Sequence, residues 1–130
     1  MSQDSKATVL CVDDEPDSLR VISMAIEEMG YGVLAAPSGR EALDVLERQA
    51  PDLIIADLRM PNMNGFELFL KVKKDPRYTN TPFFFLTAVD DPLAVKYGKE
   101  LGVDAYITKP VDLRDLQRII EEFLARHRQP

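Results

Sequence analysis

The sequence predicts a single α/β domain, a doubly wound sandwich in which five parallel strands alternate with five helices. The chain has 130 residues, a length that fits one domain. Five short apolar runs recur along it, and most are continuous, as in strands buried on both faces of a parallel sheet. Each run is followed by an amphipathic segment with helical spacing. Strand followed by helix, five times over, implies right-handed crossovers with helices on both faces of the sheet.

The predicted strands cover residues 9–12, 32–36, 53–56, 83–86 and 105–107. The predicted helices place these apolar residues on one stripe each: Leu19, Ile22, Ala25, Ile26 and Met29 in the first, Leu43 and Leu46 in the second, Phe66, Phe69 and Val72 in the third, and Leu113, Leu116, Ile120 and Phe123 in the fifth. The fourth helix, at about residues 91–101, has the least regular pattern. Gly30 and Gly102 stand where helices should end.

Composition excludes several classes of protein. The formal net charge of −6 argues against nucleic acid as the direct ligand of this domain. Cys11 is the one cysteine in the chain, so an internal disulfide is excluded. No apolar run approaches the roughly 18 residues that a membrane-spanning helix needs. The first six residues lack the apolar core of a signal peptide.

Polar residues end four of the five apolar runs. The first run ends in Asp13 and Asp14, the third in Asp57, the fourth in Thr87 and the fifth in Lys109, whereas the second ends without a reactive group. Ligands of open α/β sheets bind beyond the carboxyl ends of the strands, where the strand order reverses. If the order is 2-1-3-4-5, the first and third strands flank that point and the second lies at the edge. The sequence therefore predicts a polar site at one end of the sheet.

The residue types at these positions indicate phosphoryl transfer. Three carboxylates in one place raise one another's pKa, and a hard divalent cation removes that cost. Mg²⁺ is the expected ion, because Mg²⁺ prefers oxygen ligands and also binds the oxygens of a phosphate group. Mn²⁺ is a possible substitute. The Asp57 carboxylate is a candidate nucleophile towards phosphorus. The Lys109 ammonium and the Thr87 hydroxyl are suited to phosphoryl oxygens.

In order along the chain, these motifs resemble the response-regulator receiver family of two-component signalling, of the chemotaxis-regulator type. The matching segments are residues 12–15, 57–65, 86–88 and 106–110, and the resemblance extends from about residue 6 to residue 126. It implies a flavodoxin-like (βα)5 sandwich with the parallel strand order 2-1-3-4-5. It also implies a receiver domain at residues 7–126. From their own composition, residues 1–6 are expected to be a flexible lead-in, and residues 127–130 a tail or the start of a linker.

The resemblance implies a role for each acidic residue. Asp57 would be the phosphoacceptor and a ligand of the metal ion. Asp14 would bind Mg²⁺ directly, and Asp13 would act more through water. The backbone carbonyl of Arg59 would be a further protein ligand.

The resemblance implies further roles for residues of the last two strands. Thr87 and Tyr106 would form a switch pair, and Lys109 would contact the phosphoryl group. The peptide bond between Lys109 and Pro110 would be cis.

The function that the resemblance implies is a phosphorylation-activated switch in the cytoplasm. A sensor histidine kinase or a histidine phosphotransfer protein would donate the phosphoryl group, and the surface of the fourth helix, fifth strand and fifth helix would change. The chain would not act as an enzyme beyond phosphoryl transfer to itself and autodephosphorylation. Neither nucleic acid nor a membrane is an expected partner. The output, and whether phosphorylation drives dimerisation, are left open by the sequence.

The same residues also allow other interpretations. Asp13 and Asp14 alone could be an acidic helix start favoured by the helix dipole, and Tyr106 could be a plain core residue. The same fold could serve as a constitutive interaction module, although intact Asp57, Thr87 and Lys109 argue against that. A phosphatase of the haloacid dehalogenase type also forms an aspartyl phosphate. Such an enzyme would carry its acceptor after the first strand, together with a cap domain.

Overall fold

A computed structural model describes residues 7–88 and 102–128 of the chain, with side chains to residue 126. The strands are β1 (Thr8–Val12), β2 (Gly32–Ala36), β3 (Leu53–Asp57), β4 (Phe83–Ala88) and β5 (Ala105–Lys109). The helices are α1 (Pro16–Glu28), α2 (Gly39–Arg48), α3 (Gly65–Lys73) and α4 (Leu113–Arg128), with a 3₁₀ turn at Pro76–Tyr78. The fourth predicted helix and the predicted lead-in lie outside the described residues. Helix α4 therefore corresponds to the fifth predicted helix.

The five strands form one parallel sheet in the order β2-β1-β3-β4-β5, which confirms the predicted order. Strand β2, which ends without a reactive group, lies at the edge of the sheet beside β1. Strands β3, β4 and β5 run one or two residues further than predicted, because Asp57 still pairs with Leu86 and Lys109 with Ala88. The polar residues that end these apolar runs therefore still take part in the hydrogen-bonded pairing of the strands.

The core consists of two layers, one on each face of the sheet. Strands β3 and β4 are buried almost throughout, as their continuous apolar runs predict. Successive phenylalanines of β4 alternate between the layers: Phe83 and Phe85 pack with α2 and α3, and Phe84 packs with α1 and α4. Ring contacts link both layers to the helices, with centroids 5.1 Å apart for Phe69 and Phe83, and 5.2 Å for Phe84 and Phe123.

One residue of a predicted apolar stripe does not reach the core. Leu113, at the start of the stripe of the last helix, is 46% exposed. It is the first residue of α4, and the core contacts of this helix begin at Leu116 and continue through Ile120 and Leu124. The spacing therefore predicts the correct face of the helix. It does not show at which residue that face begins to contact the sheet.

The loop from β3 to α3 returns to its own starting point. The Gly65 amide donates to the Leu58 carbonyl at 2.8 Å, and the Leu58 amide donates to the Leu86 carbonyl at 2.9 Å. Asn64 and Glu67 form a reciprocal capping box that fixes the start of α3. A Cβ atom at Gly65 would lie 2.8 Å from the Asp57 carbonyl oxygen and 2.9 Å from Leu58 Cα. Only glycine allows this approach without moving backbone next to Asp57.

We expect Gly65→Ala to lower the free energy of unfolding by roughly 2 kcal/mol. The added methyl group would clash with backbone atoms, which cannot move away as a flexible side chain could. Alanine would otherwise stabilise a helical position by about 0.5–1 kcal/mol, so the contact decides the sign. The measurement is urea unfolding. Gly102→Ala is the control, since its Cβ meets nothing within 4 Å and only its φ of +80° opposes alanine. A Gly65→Ala protein as stable as the wild type would contradict this account.

Candidate functional site

Three carboxylates meet at the carboxyl end of the sheet. One oxygen from each of Asp13, Asp14 and Asp57 lies within 4.8 Å of the other two. Asp13 and Asp57 are only 1% and 7% exposed, while Asp14 is the most exposed of the three. The Asp13 amide donates to the Ala36 carbonyl at 3.2 Å, and the Glu15 amide donates to Asp13 Oδ1 at 3.0 Å. Backbone of β2 and of the loop entering α1 therefore fixes Asp13.

Lys109 supplies the positive charge of the cluster. Its Nζ donates to Asp57 Oδ2 at 3.0 Å and lies 3.7 Å from Asp13 Oδ2. Burial alone would lower the pKa of Lys109, but the hydrogen bond to Asp57 and the nearby carboxylates outweigh it and raise that pKa. The peptide bond from Lys109 to Pro110 is cis, which confirms the expectation from the sequence.

The charge of Asp13 is incompletely balanced. Burial of this carboxylate raises its pKa and the charge of Asp57 adds to the rise, against the Glu15 hydrogen bond and the Lys109 charge. Its Oδ2 atom is buried without a hydrogen-bond partner among the described residues. The Lys109 ammonium at 3.7 Å is too distant for a hydrogen bond. A buried carboxylate oxygen without a donor, beside two further carboxylates, fits a hard cation.

Thr87 and Tyr106 lie on neighbouring strands. Thr87 is 3% exposed, and its hydroxyl donates to the Ala88 carbonyl at 3.4 Å, a long contact. Tyr106 is paired with Phe85 in the sheet, so its side chain is on the same face as Thr87, two register positions away. The Tyr106 ring is partly buried, with its centroid 6.0 Å from that of Phe85, and burial raises the pKa of its hydroxyl.

Arg59 lies in the loop after β3, two residues beyond Asp57. Its side chain is exposed, whereas the flanking Leu58 and Met60 are buried. The Arg59 carbonyl therefore belongs to a stretch of loop that is flanked by two buried side chains.

Sequence reasoning missed three supports of the site. They are the close approach at Gly65, the capping box of Asn64 with Glu67, and the positive φ of Asn62. The spacing Asn-x-x-Glu at the start of α3 was an available signal for the capping box. Asparagine directly after proline was an available signal for a tight turn at Asn62. The approach at Gly65 has no local signal, because it depends on where the chain returns.

The family model of the response regulator receiver domain matches residues 9–121. The chain belongs to this family. The receiver fold is shared with chemotaxis response regulator CheY4 of Vibrio cholerae, which is 33% identical with a TM-score of 0.84, over 92% of this chain and 99% of that one. It is also shared with the signal receiver domain of a signal transduction histidine kinase from Syntrophus aciditrophicus, which is 33% identical with a TM-score of 0.88, over 95% and 94% of the two chains.

Curated relatives of this receiver domain differ in length. The transcriptional regulatory protein GlrR of Escherichia coli is 38% identical over 121 residues, which are 91% of this chain and 26% of GlrR. The chain spans 88% of one curated relative but between 26% and 52% of several others. Within the described part of the receiver domain, no helix is both long and apolar enough to cross a bilayer.

The cluster of Asp13, Asp14 and Asp57 fits the metal site of a receiver domain. We expect Mg²⁺ to raise the free energy of unfolding, because it binds the folded cluster and relieves the repulsion there. The gain would be about 2.7 kcal/mol at a concentration a hundredfold above the dissociation constant. Asp14→Ala should lose most of this gain, as measured by thermal unfolding with and without Mg²⁺.

Asp17→Ala is the control for that experiment. Asp17 is an exposed carboxylate in the first turn of α1 that pairs with Arg20 at 3.1 Å and lies outside the cluster. This variant should keep the full response to Mg²⁺. A response in Asp14→Ala as large as in the wild type would exclude Asp14 as a ligand.

Proposed function

We propose that this receiver domain is a phosphorylation-activated switch whose Asp57 accepts a phosphoryl group in a Mg²⁺-dependent reaction. The donor would be a sensor histidine kinase or a histidine phosphotransfer protein. The observation that carries the proposal is the position of the Asp57 carboxylate, 3.0 Å from the Lys109 ammonium and beside the carboxylates of Asp13 and Asp14. A nucleophile, a cation and an acidic pocket for a metal ion are the parts that phosphoryl transfer needs.

In the proposed step, an Asp57 carboxylate oxygen forms a bond to phosphorus while the bond from phosphorus to the donor imidazole nitrogen breaks. The imidazole carries a proton on its other ring nitrogen, so that it leaves with the bonding electron pair as neutral histidine, and Asp57 becomes an acyl phosphate. Lys109 would move its hydrogen bond from the carboxylate to a phosphoryl oxygen, since its ammonium already touches the acceptor.

The metal ion would be held by Asp14, Asp57 and the Arg59 carbonyl, with Asp13 acting more through water. When bound, Mg²⁺ supplies positive charge to the phosphoryl oxygens and orients them. The buried Asp13 Oδ2, which lacks a donor among the described residues, supports this assignment. Mn²⁺ would serve as a substitute, because it takes similar oxygen ligands.

Asp57 suits the acceptor role better than Asp13 does. Burial and the charge of Asp57 raise the pKa of Asp13, and the Glu15 amide already holds one of its oxygens. Asp57 instead carries the direct hydrogen bond from Lys109, which ties the acceptor to the charge that would stabilise the product. The proposed activity is limited to phosphoryl transfer onto this residue and its later hydrolysis.

The switch would pass through Thr87 and Tyr106. The Thr87 hydroxyl makes only a 3.4 Å contact to the Ala88 carbonyl, which a phosphoryl oxygen could replace with a stronger charge-assisted hydrogen bond. Moving the hydroxyl towards Asp57 would leave space on the face of the sheet that it shares with Tyr106. The surface formed by the predicted fourth helix, β5 and α4 would then change, as in other switches biased by local charge.

We expect acetyl phosphate and Mg²⁺ to add one phosphoryl group to the wild type, detected by intact mass spectrometry. Asp57→Asn should abolish the addition, because the amide is not a nucleophile towards phosphorus. Asp44→Asn, an exposed position on α2, is the matched control and should be phosphorylated like the wild type. Persistent single phosphorylation of Asp57→Asn would move the acceptor to another residue.

We expect beryllofluoride, which mimics a phosphoryl group, to shift amide NMR signals throughout residues 90–123. Thr87→Ala should confine the shifts to the loops around Asp13 and Asp57, since it removes the hydroxyl proposed to transmit the change. The measurement is a pair of amide correlation spectra for each protein, with and without the mimic. Wild-type shifts limited to those two loops would exclude transmission to the distant surface.

A further inference from the structure

The loop between β3 and α3 contains a strained turn. Asn62 has a φ of +70° and is the one described non-glycine residue with positive φ. The Met63 amide donates to the Pro61 carbonyl at 2.7 Å, which closes a three-residue turn around Asn62. Turns of this kind are rare when the central residue has positive φ, because the conformation is strained. Such strain persists only where the surroundings hold it in place.

The base of this loop is fixed independently of the turn. Hydrogen bonds join Gly65 to Leu58 and Leu58 to β4, and the side chain of Leu58 is buried. Pro61 and Asn62 are exposed and contribute no comparable anchor. Directly after the turn, Met63 contacts the body of the domain, and its side chain is half-buried against the α2–α3 layer of the core.

Met63 lies directly on Gly39, the first residue of α2. A Cβ atom at Gly39 would be 2.7 Å from Met63 Sδ, 3.1 Å from its Cγ and 3.2 Å from its Cβ. Glycine is an unfavourable residue in a helix, and Gly39 has no positive φ that would require it. Its use at this position is explained by the room that it leaves for the Met63 side chain.

We propose that Met63 is a positioning residue: seated on Gly39, it holds the strained turn at Asn62 closed and so keeps the Arg59 carbonyl in place for the metal ion. The inference rests on the proposed function, which assigns that carbonyl as a ligand. Arg59 lies between Leu58, which backbone hydrogen bonds hold to β4 and Gly65, and the turn at Asn62. Met60 is on the same stretch and is held by packing of its buried side chain. Because the hydrogen-bonded end at Leu58 is the firmer of the two, relaxation of the turn displaces the backbone from Arg59 to Asn62.

A structural role alone would have a different signature. Truncation of any half-buried methionine lowers the stability of the fold. Only a positioning role also weakens metal binding at a temperature where the variant is fully folded. Met29 is the matched control, since it is half-buried in the α1–α4 layer, on the other face of the sheet.

The experiment is calorimetric titration of the folded protein with MgCl₂. Met63→Ala should weaken Mg²⁺ binding about tenfold, the lower end of the effect of removing a support of a metal ligand. Met63→Leu should restore most of the affinity, and Met29→Ala should lower stability without changing it. Gly39→Ala, which pushes Met63 off its seat, should weaken binding in the same direction.

Asn62→Gly tests the strain itself, because glycine adopts a φ of +70° without cost. In that background, Met63→Ala should weaken Mg²⁺ binding by clearly less than in the wild type, a coupling that a double-mutant cycle measures. Equal losses in the two backgrounds would overturn the link between Met63 and the turn. Unchanged affinity in Met63→Ala, with normal binding by the wild type, would overturn the inference and leave the proposed function standing. A wild type that binds no Mg²⁺ would overturn both.

Discussion

The ion pair between Lys109 and Asp57 is the interaction on which the rest of the site depends. Two nearly fully buried carboxylates, Asp13 and Asp57, lie at one end of the sheet, and burying a charge is costly unless an opposite charge accompanies it. The ammonium lies 3.0 Å from one carboxylate and 3.7 Å from the other. Because Lys109 ends β5 and Asp57 ends β3, the pair spans β4 and requires the register of all three strands.

The same concentration of charge explains why the surrounding loops are so tightly constrained. A cluster that repels itself is kept together by backbone contacts, including the amide of Glu15 on Asp13 and the return of the chain at Gly65. These contacts leave little freedom: a single methyl group at Gly65 would meet the backbone of Asp57. The strained backbone at Asn62 lies in the same loop, in keeping with the general tendency of strain to gather near functional sites.

The features that could be predicted from the sequence are those that leave a pattern of apolar and polar residues along the chain. Continuous apolar runs identified the strands, and the polar residues Asp13, Asp57 and Lys109 followed from where the runs stop and how parallel sheets are wound. The exposure of Leu113 was not predictable, because periodicity shows which face of a helix is apolar but not where along the helix that face begins to contact the sheet. The contact of Met63 with Gly39 was not predictable, because it joins the β3–α3 loop to the first residue of α2, and no local pattern relates the two.

The alternation of the three phenylalanines in β4 has a consequence for how this domain can change over time. Phe83 and Phe85 belong to one layer of the core and Phe84 to the other, with the strand as the wall between them. A change of side-chain volume at Phe84 is therefore felt beside Phe123, while one at Phe83 is felt beside Phe69. The two layers can accumulate substitutions along separate evolutionary histories, each compensated on its own side, while the backbone between them stays the same.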